Sequence, residues 1–202
     1  MSAITRWPQQ SYLNKFAHHP IEIEVGSHYS TGYGERHETS LGSYLTLLSQ
    51  PLPYHIYMAQ YPLFERIPEL QSDVLTPLVQ DILQEGENYS TATWIGKQIL
   101  TPLHRDPQAL TNLFIQICGR KWFRMFSPEV ERDKLQLGKG IMRNTANIDV
   151  WEEDIGEGLE GIVSPGDGII IPRGWWHSVR SQEDELNISV NWWFKISTMT
   201  PE

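Results

Sequence analysis

The sequence has very little cysteine and no long apolar run. Cys118 is the only cysteine among 202 residues, so no disulfide can form within the chain. No apolar run approaches the roughly 20 residues that cross a membrane, and the N-terminal segment contains no apolar stretch of signal-peptide length. These absences argue against a secreted or membrane-bound protein. We expect a soluble intracellular protein, located in the cytoplasm, the nucleus or both.

Positive charge is also scarce. The chain has 16 lysines and arginines against 25 aspartates and glutamates, a formal net charge of −9. Such a surface repels phosphate backbones, so we expect no nucleic acid partner, whereas a basic peptide would suit it. Apolar residues make up 40% of the chain and include eight tryptophans, which is enough for a sizeable core. The length fits one domain, and nothing in the composition specifies an oligomeric state.

Helical and strand patterns alternate in the first part of the chain. Ser11–Ala17 fits a short helix, and Thr39–Ser49 fits a second helix with leucines on one face. Ile21–Val25 alternates apolar and acidic residues, which is typical of a strand. Gly26–Glu38 has the glycines and polar residues of a loop.

Short strands separated by turns dominate after Tyr89. The segments with strand character are Thr91–Ile95, Asn112–Cys118, Trp122–Ser127, Gly161–Val163, Gly168–Pro172 and Asn187–Phe194. Between them, Glu129–Glu160 is charged, contains several glycines and is weakly periodic, which predicts a long insertion of the kind that often contacts substrates. The pattern indicates a mainly β fold with flanking helices, a sandwich or jelly roll.

Three residues have the chemistry of a metal site. His104 and Asp106 are two apart, so in an extended segment both side chains point to the same face. With a second histidine, for which His177 is the candidate, they form the facial triad of Fe(II) oxygenases, which leaves coordination positions open. Taken singly, the His-x-Asp motif is weak, and His177 also fits a histidine that bonds among buried tryptophans. We interpret the other histidines as surface or packing residues: His18, His19, His28, His37 and His55.

Longer motifs around these residues resemble the core of the JmjC hydroxylases. The motifs that match are Thr101–Pro107, Asn112–Lys121, Ser164–Asp167, Ile171–His177 and Val190–Phe194. Three upstream motifs resemble the branch that contains lysine-specific demethylase 8, which is similar in activity to peptidyl arginine hydroxylases: Glu24–Ser27, Tyr57–Phe64 and Ile67–Leu70. The resemblance runs from about Trp7 to Phe194, which is nearly the whole chain.

The resemblance implies one JmjC domain over residues 1–202. It would consist of a helical and mixed N-terminal flank at 1–88 and a cupin-like double-stranded β-helix, or jelly roll, at 89–196. Fe(II), 2-oxoglutarate and O2 are the implied cofactors, with the iron bound by His104, Asp106 and His177. The family domain usually has a strand before the position of Trp7, and we expect that strand to be either lost or truncated.

The resemblance also implies where 2-oxoglutarate binds. Lys121 matches the family lysine that meets the distal carboxylate, and a cation is needed there because a dicarboxylate loses its hydration in an apolar barrel. Thr101 and Tyr57 match hydroxyl donors to the same carboxylate. Asn112 and Asn191 match amides that orient the other carboxylate near the iron. Read singly, a lysine near a strand end is usually solvated and an asparagine usually caps a turn.

The substrate side of the site has weaker signals. Trp94 and Trp193 match aromatic positions beside the family's active site, where they would line a substrate pocket, although each fits a core tryptophan equally well. The interval between His104 and Asn112 is two residues longer than the family pattern. We expect the extra residues, around Gln108–Thr111, to bulge the loop and reshape the pocket rim.

The resulting hypothesis is an Fe(II)- and 2-oxoglutarate-dependent dioxygenase that hydroxylates a polypeptide side chain, with arginine favoured, and releases succinate and CO2. The protein or peptide substrate is inferred by analogy with the family. Three alternatives stay open. They are an N-methyl-lysine demethylase with the same site, a non-catalytic JmjC-like binding module, and a cupin that uses another metal for isomerase or hydrolase chemistry.

Overall fold

The computed structural model describes residues 1–26, 35–84, 86–107, 110–140, 143–181 and 185–196. Its helices are short: α1 (Ala3–Arg6), α2 (Gln10–Leu13), α3 (Leu41–Leu48), α4 (Leu63–Arg66), α5 (Gln71–Val74), α6 (Pro77–Gln84) and α7 (Arg132–Leu135). Turns of 3₁₀ helix occur at Asn14–Phe16 and Pro68–Leu70. No helix within the described ranges is both long and apolar enough to cross a membrane.

Antiparallel strands are the largest class of regular structure among the described residues. The strands are β1 (Pro20–Gly26), β2 (Glu35–Ser40), β3 (His55–Tyr61), β4 (Gly86–Gly96), β5 (Leu100–Arg105), β6 (Thr111–Cys118), β7 (Lys121–Phe126), β8 (Leu159–Val163), β9 (Gly168–Ile171), β10 (Trp176–Ser181) and β11 (Asn187–Ile196). One sheet has the order β2-β1-β3-β4-β11-β6-β9, and the second has the order β5-β10-β7-β8. This architecture confirms the predicted mainly β jelly roll with flanking helices.

The central strand β11 has two buried faces. Ile188, Val190 and Trp192 belong to the main hydrophobic core, which also takes residues from helices α1 to α6. Asn191 and Trp193 instead line a cavity to which both sheets contribute. The alternation along β11 therefore separates a packed face from a cavity face, because the helices cover the side that would otherwise meet solvent.

Asp73 joins the N-terminal helices to the rest of the fold. Its carboxylate, which is 2% exposed, accepts hydrogen bonds from Ser2 Oγ at 2.7 Å, Arg6 Nη1 at 2.8 Å, Trp7 Nε1 at 3.1 Å and Tyr12 Oη at 2.6 Å. Four donors to one buried carboxylate satisfy its acceptor capacity, so the charge is compensated inside the protein.

The helix and strand predictions near the N-terminus are confirmed with small shifts. Ser11–Ala17 contains most of α2 and the 3₁₀ turn after it, Ile21–Val25 lies within β1, and Thr39–Ser49 contains α3. The helix prediction begins two residues early, because Thr39 and Ser40 end β2 and the Ser40 hydroxyl caps α3 by accepting the Ser43 N–H at 3.2 Å.

The loop predicted over Gly26–Glu38 is wrong where the structure describes it. Gly26 ends β1 and Glu35–Glu38 begins β2, while residues 27–34 lie outside the described residues. β2 pairs with β1 over six consecutive positions although its side chains are largely exposed and polar. An edge strand of this kind needs no apolar face, so its sequence gives no period-two signal.

All six strands predicted after Tyr89 are confirmed, with shifts of at most two residues at their ends except for β4, which begins five residues before the predicted Thr91. Strands β3, β5 and β10 were not predicted. In β5 and β10, polar residues such as His104 and His177 point into the cavity, so polar and apolar side chains no longer alternate between solvent and core. The bulge predicted around Gln108–Thr111 is wrong for Thr111, which begins β6; residues 108–109 lie outside the described residues.

The predicted insertion Glu129–Glu160 is partly structured. It contains α7, and residues 136–138 pair with residues 145–147 through the Leu137–Ala146 bridge and backbone hydrogen bonds. Its predicted end is late, because Leu159 and Glu160 already belong to β8. The segment therefore contributes β structure next to the second sheet.

Candidate active site

His104 and His177 lie opposite each other on neighbouring strands. They are register partners in the β5–β10 pair, and their ring centroids are 4.2 Å apart. Asp106 follows the end of β5, and its Oδ2 lies 3.9 Å from His177 Nε2. One ligand atom from each of the three residues lies within 4.8 Å of the others, so the predicted triad is assembled in space.

Hydrogen bonds indicate which nitrogen of each imidazole is available to bind a metal. His104 Nδ1 lies 2.9 Å from the Pro102 carbonyl oxygen, and His177 Nδ1 lies 3.3 Å from the Trp175 carbonyl oxygen. A carbonyl only accepts, so each Nδ1 is the protonated nitrogen and each Nε2 keeps its lone pair. Hydrogen bonds of this kind, from the ring nitrogen that does not bind the metal, orient histidine ligands in metal sites.

The charge states of the site suit a metal ion. Burial lowers the pKa of His177, so its imidazole is neutral at physiological pH. For Asp106, burial acts to raise the pKa, but His177, His104 and the Asn112 hydrogen bond outweigh it and lower the pKa overall. Two neutral imidazoles and one carboxylate are the forms that bind metal, and this donor set fits Fe(II) with positions left open.

Two asparagines connect the carboxylate ligand to β11. Asn112 Nδ2 donates to Asp106 Oδ2 at 2.9 Å, and Asn191 Nδ2 donates to Asn112 Oδ1 at 2.6 Å. Asn191 Oδ1 has no hydrogen-bond partner among the described residues. The amide of Asn112 is thus already committed to a metal-ligand candidate.

A cavity of about 340 Å³ lies beside the triad. All ten residues singled out from the sequence line it: Tyr57, Trp94, Thr101, His104, Asp106, Asn112, Lys121, His177, Asn191 and Trp193. They come from seven strands and one loop, so the fold brings together every predicted site residue. Their roles toward a cosubstrate stay predictions.

Lys121 is buried in this cavity without an opposite charge. Its side chain is on β7 and the residue is 3% exposed; Nζ donates to Ser189 Oγ at 3.0 Å and lies 5.4 Å from the centroid of the Phe114 ring. No carboxylate forms an ion pair with it among the residues that the structure describes. Burial lowers the pKa of Lys121 to about 7. An anionic group in the cavity would supply the missing partner.

Tyr57 and Trp94 form an aromatic side of the cavity. Their ring centroids are 5.8 Å apart with an interplanar angle of 36°. A Cβ atom at Gly96 would lie 2.6 Å from Tyr57 Cδ2, so the glycine makes room for the Tyr57 ring. The indole Nε1 of Trp94 has no hydrogen-bond partner among the described residues, whereas the Trp193 indole is one of the groups that lower the pKa of Asp106.

The sequence interpretation missed five polar lining residues. Glu24, Arg36, Gln60, Asn144 and Thr145 also line the cavity. Glu24 and Arg36 are register partners in the β1–β2 pair, and Arg36 Nη2 lies 3.6 Å from Glu24 Oε1. Burial raises the pKa of Glu24 despite the neighbouring guanidinium. The alternation of apolar and acidic residues in β1 could have indicated Glu24. The location of Asn144 in the predicted insertion could have indicated that residue.

Comparisons with known proteins agree with this geometry. A model of the cupin-like domain matches residues 27–199. The chain is 30% identical over 95% of its length to lysine-specific demethylase 8 of Xenopus tropicalis, of which it covers 46%. It is 29% identical, again over 95% of its length, to lysine-specific demethylase JMJ30 of Arabidopsis thaliana, of which it covers 47%. The chain thus spans about half the length of these relatives. The chain belongs to the family of cupin-like JmjC domains.

Proposed function

We propose that this protein is an Fe(II)- and 2-oxoglutarate-dependent dioxygenase that hydroxylates a polypeptide side chain, with arginine favoured. One observation supports the proposal above all others. The triad of His104, Asp106 and His177 and the buried, unpaired Lys121 line the same cavity. A metal site with open positions next to an isolated buried cation is the arrangement that a dicarboxylate cosubstrate requires.

In this proposal the three triad residues bind the metal and Lys121 binds the cosubstrate. Bound Fe(II) together with 2-oxoglutarate and O2 supplies the oxidising chemistry, in which succinate and CO2 are released and one oxygen atom enters a C–H bond. Lys121 neutralises the distal carboxylate, and the hydroxyls of Thr101 and Tyr57 lie in the same cavity as further donors. The protein residues thus position the metal and the cosubstrate, which supply the oxidising chemistry.

Asn112 and Asn191 act differently from what the family resemblance implies. The amide nitrogen of Asn112 is bonded to Asp106, so we propose that Asn112 orients a metal ligand in place of the cosubstrate carboxylate. Asn191 supports Asn112 in turn. Both asparagines would then support the ligand Asp106 and would not contact the cosubstrate.

A basic side chain is the substrate class that the cavity suits best. Glu24 lines the cavity but lies 3.6 Å from Arg36, so a substrate guanidinium or ammonium would compete with Arg36 for this carboxylate. The formal net charge of −9 favours approach of a basic polypeptide. These features do not separate arginine from lysine, and the preference for arginine rests on the upstream motifs.

N-methyl-lysine demethylation is the second candidate. The observation that favours it is the name of the relatives, two of which are called lysine-specific demethylases. The same site would oxidise an N-methyl group, so the product and not the site distinguishes the two reactions.

Matched peptides test the proposal. The protein is incubated with Fe(II), 2-oxoglutarate and arginine, lysine or methyl-lysine peptides, and succinate, peptide mass and formaldehyde are measured together. We expect a peptide heavier by one oxygen without formaldehyde, and no product from the His177→Ala variant. Formaldehyde in step with succinate from a methyl-lysine peptide would instead establish the demethylase. A folded protein that binds metal but forms no succinate with any peptide would indicate a binding module.

A further inference from the structure

Asn144 binds both peptide groups that connect two of the triad residues. Arg105 is the single residue between His104 and Asp106. Its N–H donates to the Asn144 carbonyl oxygen at 3.0 Å, and its carbonyl oxygen accepts from the Asn144 Nδ2 at 3.0 Å. The N–H belongs to the peptide group after His104, and the carbonyl belongs to the peptide group before Asp106. One asparagine therefore holds both links between the two ligands.

The residues after Asn144 continue this contact as a short ladder. Thr145 forms a bridge with His104, and the Ala146 N–H donates to the Leu103 carbonyl oxygen at 2.8 Å. Residues 144–146 thus pair with the edge of β5 that faces away from β10. His104 has a pairing partner on both sides, with His177 across β10 and Thr145 on the other edge.

The Asn144 side-chain amide supplies the hydrogen-bond donor that the backbone of a paired strand would normally supply. The Arg105 carbonyl needs a donor, and the Asn144 Nδ2 provides it from the same residue that accepts the Arg105 N–H. The Arg105 guanidinium lies 5.0 Å from the ring centroid of Trp176, its register partner on β10. Contacts to both its backbone and its side chain therefore hold Arg105.

We propose that Asn144 is a positioning residue that sets the separation and orientation of His104 and Asp106 without touching the metal. This inference rests on the proposed function. Without the amide, the ligands remain but the peptide group before Asp106 loses the hydrogen bond that holds its carbonyl oxygen. We expect metal affinity to fall by about tenfold, at the lower end of the effect of losing an outer contact in a metal site.

Two substitutions and one matched control test the proposal in the full chain. Asn144→Ala removes the donor, and Asn144→Asp keeps the shape but replaces the donor with an acceptor. Asn147→Ala changes an exposed asparagine of the same segment, whose backbone N–H bonds the Gln136 carbonyl and is unaffected by the change. Mn(II) affinity is measured by calorimetry, and the visible spectrum of the Co(II)-loaded protein is recorded at saturation.

Both Asn144 variants should bind Mn(II) about tenfold more weakly and show a shifted Co(II) spectrum, whereas Asn147→Ala should match the wild type. A loosened fold alone would leave the spectrum of the saturated site unchanged. Wild-type affinity and spectrum in both variants would overturn the inference, as would failure of both to fold. His104→Ala separates the two proposals: if it binds Mn(II) as well as the wild type, the metal site itself is misassigned.

Discussion

Asn112 donates its amide to Asp106 Oδ2 at 2.9 Å and so points a metal-ligand candidate toward the two histidines. The oxygen of the same amide accepts from Asn191, which determines how the Asn112 side chain is turned. All three residues line the cavity, and Asn112 and Asn191 are almost completely buried. The carboxylate is thus held by a chain of side chains that reaches the central strand of the larger sheet.

Replacing the first asparagine of this chain should weaken metal binding. Asn112→Ala leaves Asp106 free to rotate, and we expect Mn(II) affinity to fall by about 10- to 100-fold. Asn191→Ala should have a smaller effect, because it removes only the support of Asn112. Calorimetric titration of Mn(II) into both variants shows which one loses more metal affinity. Asn147→Ala, a change at an exposed residue, is the control. A larger loss in Asn191→Ala than in Asn112→Ala would contradict the chain described above.

The metal-ligand candidates were predictable because their signals are local. His104 and Asp106 share a face by strand periodicity alone, and His177 was found through the motif around it. The pairing of His104 with His177 depends on the register of β5 and β10, which residue types did not reveal because both strands turn polar side chains into a cavity.

The role of Asn144 was not predictable in the same way. The surrounding segment has little periodicity, and its function arises only when residues 144–146 pair with β5. Likewise, the resemblance assigned Asn112 to the cosubstrate, and the hydrogen bond to Asp106 appears only in three dimensions. Side-chain orientation and strand pairing, which single-residue patterns do not contain, are thus the basis of both proposals.

Lys121 should make 2-oxoglutarate binding dependent on pH. Burial lowers the pKa of Lys121 to about 7 in the cavity, and only the protonated ammonium attracts a carboxylate. Affinity should therefore be highest below that pKa and fall about tenfold per pH unit above it, until the pH passes the higher pKa of the complex. Binding near neutral pH should also take up a proton.

Titration of 2-oxoglutarate into Mn(II)-loaded protein across neutral and alkaline pH measures this dependence, and buffers of different ionisation enthalpy report the proton. Lys121→Met should lose both the affinity and the proton uptake while binding Mn(II) normally. Equal affinity at all pH values in the wild type would place the carboxylate away from Lys121.

Asp73 should stabilise the fold in a pH-dependent manner. Burial acts to raise the pKa of Asp73, but hydrogen bonds from Tyr12, Ser2, Trp7 and Arg6 outweigh it, so the folded-state pKa lies below the ordinary 3.8. This stabilisation is fully present above the unfolded-state pKa and is lost as the pH falls through the folded-state pKa. Asp73→Ala should cost at least about 1–3 kcal/mol, because the buried Trp7 N–H loses its acceptor.

Chemical denaturation at neutral and acidic pH gives the free energy of unfolding of both proteins. The difference between wild type and Asp73→Ala should shrink toward low pH. A difference that is the same at neutral pH and near pH 3 would mean that the charge of Asp73 contributes nothing and only its shape does.

Trp94 and Trp193 should affect the peptide substrate more than the cosubstrate. Both line the cavity, so a bound peptide can pack against their rings. Trp193 also packs against Ala92 and Leu110, which makes an alanine variant prone to unfolding. Phenylalanine is the informative change, because it keeps a ring and removes the N–H.

Trp94→Phe and Trp193→Phe should each raise the KM for the peptide roughly two- to tenfold, because the smaller ring loses part of an aromatic contact of about 0.5–1.5 kcal/mol. Succinate formed without peptide should stay unchanged in Trp94→Phe, whereas Trp193→Phe should lower it as well, because the Trp193 indole is one of the groups that lower the pKa of Asp106. Trp122→Phe is the matched control, because Trp122 lies outside the cavity lining and stacks on Arg180 with its guanidinium 4.5 Å from the ring centroid. If the two cavity variants lower the melting temperature but leave the peptide KM at the wild-type value, both tryptophans are packing residues, and other residues that line the cavity must recognise the peptide instead.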